Sequence, residues 1–444
     1  MSTGTPEPRG RRITAPRDHF DPARRLQLDL FRPNRRRPPL SLRPQRAVVL
    51  PERAHRMPAS PIRKLAPLHE QAKARGVHVY ALNIGQPDIV TPVEMRNAYK
   101  DWDQQVLAYG HSAGLADYRA GLAGYYARFG IQVKPEEILV TAGGSEAILF
   151  ALMAICAPGD NVLVPEPFYP NYTGFAVMAG AEVRAIPSRA ADGFHLPPRS
   201  VIDALVNDRT RAILWSSPGN PTGAILTRHE LEMLGDIALE YGLFLLADEV
   251  YREFTYDGAN HTSLFHLAGL DDRAVILDSI SKRFSACGAR IGSLMTRNRE
   301  ILDTCLRFAQ ARLCPPTVDQ FAALAALETP QSYFDDVRDE YQKRRNVLVE
   351  ALGSIPGVKC RRPDGAFYLM AELPVDDSER FARWMLEKFE CDKRTVMMAP
   401  GPGFYMTPGA GAREVRLAYV LCCEDLIESM RVLDRGLAEY PGRV

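Results

Sequence analysis

From about residue 138 the chain alternates short apolar runs with helical patterns, and no other feature restricts its fold so tightly. The runs are "EILV", "NVLVPEP", "EVRAIP", "RAILWSSP", "LFLLADEV", "AVILDSIS" and "IGSLM", with helical stretches such as "RHELEMLGDIALEYG" between some of them. This rhythm predicts an α/β fold, a mostly parallel sheet covered by helices on both faces. Ligands in such sheets bind beyond the carboxyl ends of the strands. Polar residues stand at those ends: Asn220 after "RAILWSSPG", Asp248 after "LFLLA", and Ser279 with Lys282 after "AVILD".

A chain of 444 residues exceeds one comfortable core, so two domains are expected, and 46% hydrophobic residues exclude disorder of the whole. The charge is uneven. Residues 1 to 56 hold 14 Arg, no Lys and five acids, a net of +9, which leaves −8 for the rest of a chain whose total is +1. A mildly acidic body gives no support for nucleic acid as the partner. The Arg/Pro-rich head ("FRPNRRRPPL") lacks periodicity and is expected to be disordered. It reads as a solvated tail, as a start codon taken too early with Met57 the true start, as a contact arm for a partner or nucleic acid, or as a targeting peptide; its prolines and scattered acids argue against the last. Organised sequence is expected from "MPASPIRKLAPLHEQAKARG", read as a helix. The eight cysteines show no zinc-like spacing and read as reduced, buried thiols of a cytoplasmic protein, with Cys422 and Cys423 in a core strand. The most apolar region, "LVTAGGSEAILFALMAICA", carries glycines, Ser145 and Glu146, and reads as strand, turn and core helix, with no membrane span.

Singly, each candidate residue has an ordinary reading. Asp248 follows five apolar residues and needs a cation or donors, which a structural ion pair would supply. Lys282 and Arg290 could be surface cations. "NPTG" is a turn, with Pro221 fixing φ and Gly223 permitting φ > 0. "TAGGSEAI" is a strand, a glycine turn and a helix start, which offers free N–H groups to an anion. Together they describe one ligand. An amine on Lys282, a carboxylate on Asp248, a phosphate cradle at Gly143 to Ser145 with Ser279 and Arg290, and a flat residue such as Tyr169 suit a planar, cationic, phosphorylated ring bearing an aldehyde, pyridoxal 5'-phosphate. The lysine would hold the aldehyde as a Schiff base and the carboxylate would keep the ring nitrogen protonated. Arg290 would clamp the phosphate with a rigid fork.

From about residue 57 to its end the chain resembles the class I/II aminotransferases, the fold type I pyridoxal-phosphate enzymes, and is similar to their bacterial aspartate aminotransferase-like branch. The resemblance rests on "LNIGQPD", "YGHSAGLADYR", "TAGGSEAI", "PEPFYPNY", "SSPGNPTG", "ADEVY", "SISKRFSACGARIG", "PDGAFY" and "REVRLAY", in that order. One departure is Ala289, where many relatives have a bulky aromatic before the phosphate-binding arginine. The resemblance implies that Asn220 and Tyr251 bond the ring's phenolate oxygen, that Tyr169 stacks on the ring, and that Gly144, Ser145, Ser279 and Arg290 bind phosphate. Tyr109 would join them from across a homodimer with shared sites. Arg416 would grip the substrate's α-carboxylate, assisted by Gly85, and Arg312 would be the second cation of a dicarboxylate site. It also implies a large cofactor domain over residues 102 to 328, and a smaller α/β domain of residues 57 to 101 with 329 to 444. The implied activity is ping-pong transamination between an L-amino acid, aspartate-like, and a 2-oxo acid such as 2-oxoglutarate, with no metal. The same motifs serve β-lyases, decarboxylases and cyclopropane-forming synthases. A non-catalytic regulator would need a DNA-binding domain, for which the head has no helix-turn-helix pattern.

Overall fold

The computed structural model describes residues 48–444. Residues 48–50 are exposed and without regular structure. Thirteen strands follow in the chain: β1 (His78–Ala81), β2 (Ile138–Thr141), β3 (Asn161–Glu166), β4 (Glu182–Pro187), β5 (Thr210–Ser216), β6 (Phe244–Asp248), β7 (Ala274–Ser279), β8 (Gly292–Thr296), β9 (Lys359–Cys360), β10 (Tyr368–Glu372), β11 (Arg394–Met397), β12 (Ala399–Pro400) and β13 (Glu414–Ala418). The seven expected runs form one seven-stranded sheet in the order β2-β8-β7-β6-β5-β3-β4. Only β8 runs against its neighbours β2 and β7; β3 to β7 pair in parallel.

Side chains alternate across this sheet, and both faces are buried. Ile213, Leu245 and Ile276 enter one core with Tyr126 and Leu234, while Leu214, Leu246 and Leu277 enter another with Phe150 and Phe175. A strand apolar at every position needs cover on both sides, which is why the runs read as continuous in the sequence. The covering helix Arg228–Tyr241 is bounded by its own sequence. Thr227 accepts from the Glu230 amide at 3.2 Å, Glu230 accepts from the Thr227 amide at 2.7 Å, and Gly242 ends the helix at φ +68°.

A third core lies under the antiparallel sheet β12-β13-β10-β9 and the parallel pair β1-β11, which joins residues 78–81 to 394–397. Helices Gln331–Gly353 and Cys423–Glu439 pack together over this part.

Several local expectations are corrected. The helix read from "MPASPIRKLAPLHEQAKARG" is only Ala66–Ala74, because prolines 58 and 61 keep the preceding segment in turns and Pro67 is tolerated in the first helical turn. Cys422 and Cys423 are not in a strand: Cys422 is the N-cap and Cys423 the first residue of the helix that Glu424 and Asp425 open with favourable charge. All eight cysteines are free, but only Cys305 and Cys423 are buried. The expectation of disorder lies outside the described residues up to residue 47. Beyond it, Glu52–Arg56 is a short exposed helix whose Arg56 Nη2 meets Glu182 Oε1 of β4 at 2.9 Å. Among the described residues no helix is long and apolar enough to cross a membrane.

Candidate active site

The carboxyl ends of β5, β6 and β7 and the turn after β2 open into a cavity of about 740 Å³. Of the residues singled out in the sequence, Gly85, Gly144, Ser145, Tyr169, Asn220, Asp248, Tyr251, Ser279, Lys282, Arg290 and Arg416 all line it. Its charged lining is four cations, Arg63, Lys282, Arg290 and Arg416, against one carboxylate, Asp248.

One end of the cavity is built from backbone. Gly143, at φ +84°, ends the turn after β2, and helix Gly144–Ile155 starts behind it with its first amides free of helical partners. A Cβ on Gly143 would stand 2.4 Å from Arg290 Nη2, so the guanidinium lies directly over the glycine turn. Arg290 donates to the Cys287 carbonyl at 3.0 Å and meets no carboxylate among the described residues. Ser279 Oγ donates to the Ile291 carbonyl at 2.9 Å, which fixes that hydroxyl beside the turn.

At the end of β6, Asp248 is buried. Its Oδ2 accepts from the Tyr172 hydroxyl at 2.7 Å and its Oδ1 from the Val250 amide at 3.4 Å, and no cation among the described residues pairs with it. Burial pushes the carboxyl up to about 6, against the pull of those donors. The neighbouring Asp278 is the opposite case. Arg283, Arg252 and Tyr126 converge on it and, despite the cost of burial, hold it below the usual carboxylate range. This buried network also accepts the Ser279 amide at 2.6 Å, and so anchors the turn that carries Ser279 and Lys282. Lys282 Nζ donates to the Gly85 carbonyl at 2.7 Å and has no acid partner among the described residues.

The remaining walls are aromatic and polar. Tyr251 and Tyr368 share a hydrogen bond at 2.8 Å, and burial holds the Tyr251 phenol well above its ordinary value, so it stays protonated. Arg416, 1% exposed, lies 4.4 Å from the Tyr368 ring centroid, donates to Asn220 Oδ1 at 2.9 Å and to the Asn83 backbone carbonyl, and keeps a buried Nε without a partner among the described residues. Tyr169 accepts from Asn171 Nδ2 at 2.6 Å, and burial pushes its phenol up to about 12.

Two expected residues lie elsewhere. Arg312 does not line the cavity; Nε meets Glu146 Oε1 at 3.1 Å and Nη2 the Val140 carbonyl at 3.3 Å, so its charge is spent on the helix behind the glycine turn. Tyr109 is 80% exposed and also outside the lining. Conversely, sequence reasoning passed over Tyr172, Tyr368, Asn83 and Arg63. Tyr172 and Tyr368 lay in the quoted "PEPFYPNY" and "PDGAFY", but their role is to hold Asp248, Tyr251 and Arg416, which only tertiary contacts reveal.

These residues fit pyridoxal 5'-phosphate. A glycine turn roofed by an arginine suits a phosphate, a buried carboxylate lacking a cation suits a protonated ring nitrogen, and an unpaired lysine amine suits an aldehyde.

Residues 77–407 match the family described as aminotransferase class I and II. The aspartate aminotransferase of Pyrococcus horikoshii is 30% identical over 89% of this chain and 99% of its own. The arginine–pyruvate transaminase of Pseudomonas aeruginosa is 32% identical over 85% and 95%. Among solved structures, the Thermus thermophilus aspartate aminotransferase with maleate superposes with a TM-score of 0.79 at 30% identity, covering 88% of this chain and 100% of that one.

Proposed function

The chain belongs to the class I and II aminotransferases, pyridoxal-phosphate-dependent enzymes, and from that premise we propose that it exchanges amino groups between a dicarboxylic L-amino acid and a 2-oxo acid such as 2-oxoglutarate, by ping-pong kinetics. The observation that carries the reading is the charge pattern of the cavity, four cations against one carboxylate. It suits a phosphate together with substrates bearing more than one carboxylate.

Pyridoxal 5'-phosphate, when bound, supplies an aldehyde that takes up the amino group and a cationic ring that drains charge from the reacting carbon. Arg290, the Gly144 and Ser145 amides and Ser279 hold its phosphate. Asp248, ionised once it faces a cation, keeps the ring nitrogen protonated, while Tyr172 holds the carboxylate in place. Asn220 and the protonated Tyr251 would hold the ring's phenolic oxygen, and Tyr169 would cover the ring. Lys282 Nζ would hold the aldehyde and, when free, would be the amine that takes the proton from the substrate's Cα. Arg416, already stacked on Tyr368 and held by Asn220, receives the α-carboxylate as a bidentate pair, with Gly85 beside it. Moving the β9–β13 part, which carries Arg416 on β13, toward the seven-stranded sheet would exclude water. Tyr109, exposed on this chain, is reserved for a second copy's phosphate site in a homodimer, and the free cysteines fit the cytoplasm.

The test is product analysis by mass spectrometry after mixing purified protein with single amino acids and 2-oxoglutarate. Transamination yields the matching 2-oxo acid and glutamate in equal amounts. Pyruvate with ammonia would mean a β-lyase, and an amine a decarboxylase.

A further inference from the structure

Of the four cations in the cavity, three have partners assigned by the reading above. Lys282 meets the aldehyde, Arg290 the phosphate and Arg416 the α-carboxylate. Arg63 is left over. It is exposed, and among the described residues its guanidinium makes no ion pair and no hydrogen bond. Its neighbour Lys64 is committed elsewhere, with Nζ 2.5 Å from Glu379 Oε2, so the two adjacent cations have been separated and only one turns to the cavity.

The turn that carries Arg63 is built, not loose. The amides of Arg63 and Lys64 both donate to the Ser60 carbonyl, at 3.2 and 3.0 Å. Pro61 packs so closely on Gly403 that a Cβ there would stand 2.2 Å from Pro61 Cβ. Most telling is Asn83, 1% exposed. Its Nδ2 donates to the Ile62 carbonyl at 3.0 Å, and its backbone carbonyl accepts from Arg416 Nη2. One buried residue therefore ties the Arg63 turn to the α-carboxylate arginine and sets the position of one against the other. Arg63 and Arg416 line the same cavity, together with Tyr169.

We propose that Arg63 is the specificity-determining residue that receives the distal carboxylate of a dicarboxylic substrate whose α-carboxylate is on Arg416, with Asn83 as the positioning residue between them. The inference rests on the proposed dicarboxylate reading, and it moves the second cation from Arg312 to Arg63.

The test measures dissociation constants of succinate and butyrate, non-reactive four-carbon acids differing by one carboxylate, on the cofactor-loaded protein by calorimetry. The native protein is expected to bind succinate the more tightly, and Arg63→Gln to lower the succinate-to-butyrate preference by roughly tenfold to a hundredfold, the size of one charge-assisted pair. Arg63→Lys should restore part of that preference, which a folding defect would not. If native protein shows no preference for succinate, the dicarboxylate reading and the Arg63 assignment fail together. If the native preference is clear and survives in Arg63→Gln, the reading stands and the assignment is overturned. A loss of both ligands in equal measure also overturns it, since that is the signature of a collapsed site.

Discussion

Replacing Asp248 by Asn should stabilise the cofactor-free protein and weaken the cofactor-loaded one. In the folded chain the carboxyl is pushed up to about 6 from 3.8. Between those values the folded state keeps a proton that the unfolded state has released, so stability falls as pH rises through that window and stays low above it. At 1.36 kcal/mol per pH unit the ionised Asp248 costs the cofactor-free protein about 3 kcal/mol at pH 8. Asparagine removes this cost, and its oxygen can still accept from the Tyr172 hydroxyl, although its NH2 then faces the Val250 amide. That conflict costs about 1–2 kcal/mol at every pH, which leaves a net gain of about 1–2 kcal/mol at pH 8 that shrinks as pH falls and turns into a net loss by pH 4. Urea unfolding of cofactor-free native and Asp248→Asn protein at pH 4, 6 and 8 measures it. With pyridoxal phosphate added the order should invert, because only the carboxylate gains a cationic partner, and turnover should drop severely. Parallel pH profiles for the two cofactor-free proteins would refute the view that Asp248 carries an uncompensated charge kept for the ring nitrogen.

Gly143→Ala places a Cβ 2.4 Å from Arg290 Nη2 on a backbone at φ +84°. Cofactor affinity, read by fluorescence titration of cofactor-free protein, should fall roughly tenfold to a hundredfold; an unchanged affinity would place the phosphate elsewhere. Arg312→Ala should leave the succinate-to-butyrate preference intact while costing roughly 1 kcal/mol of stability through the lost Glu146 pair, measured by urea unfolding. Mixing Tyr109→Phe with Lys282→Ala protein should restore some activity through hybrid dimers, and a fully active monomer in sedimentation would rule shared sites out.

The sequence showed the seven sheet strands and most of the cavity for one physical reason. A strand buried on both faces must be apolar throughout, so the first polar residue after it marks the carboxyl edge where Asn220, Asp248, Ser279 and Lys282 stand. Where the signal was local but weak, the reading slipped. Prolines cut the first helix short, and a short apolar stretch through Cys422 and Cys423 looked like a strand until the period of the following helix is counted.

The choice between Arg63 and Arg312 belongs to a different class, because no local pattern encodes it. Both are cations beside a helix, one in a turn before Ala66–Ala74 and the other in the last turn of Arg299–Arg312. Arg312 is drawn away by Glu146, 166 positions earlier in the chain, and the turn that carries Arg63 is held through its Ile62 carbonyl by Asn83, 21 positions after Ile62, whose backbone in turn answers to Arg416, 333 positions beyond. A charge becomes available to a ligand only when the fold has failed to give it a partner. That condition is a property of the packed chain, and it is why the proposed distal contact falls in the turn before Ala66–Ala74 rather than in the helix that the resemblance suggested.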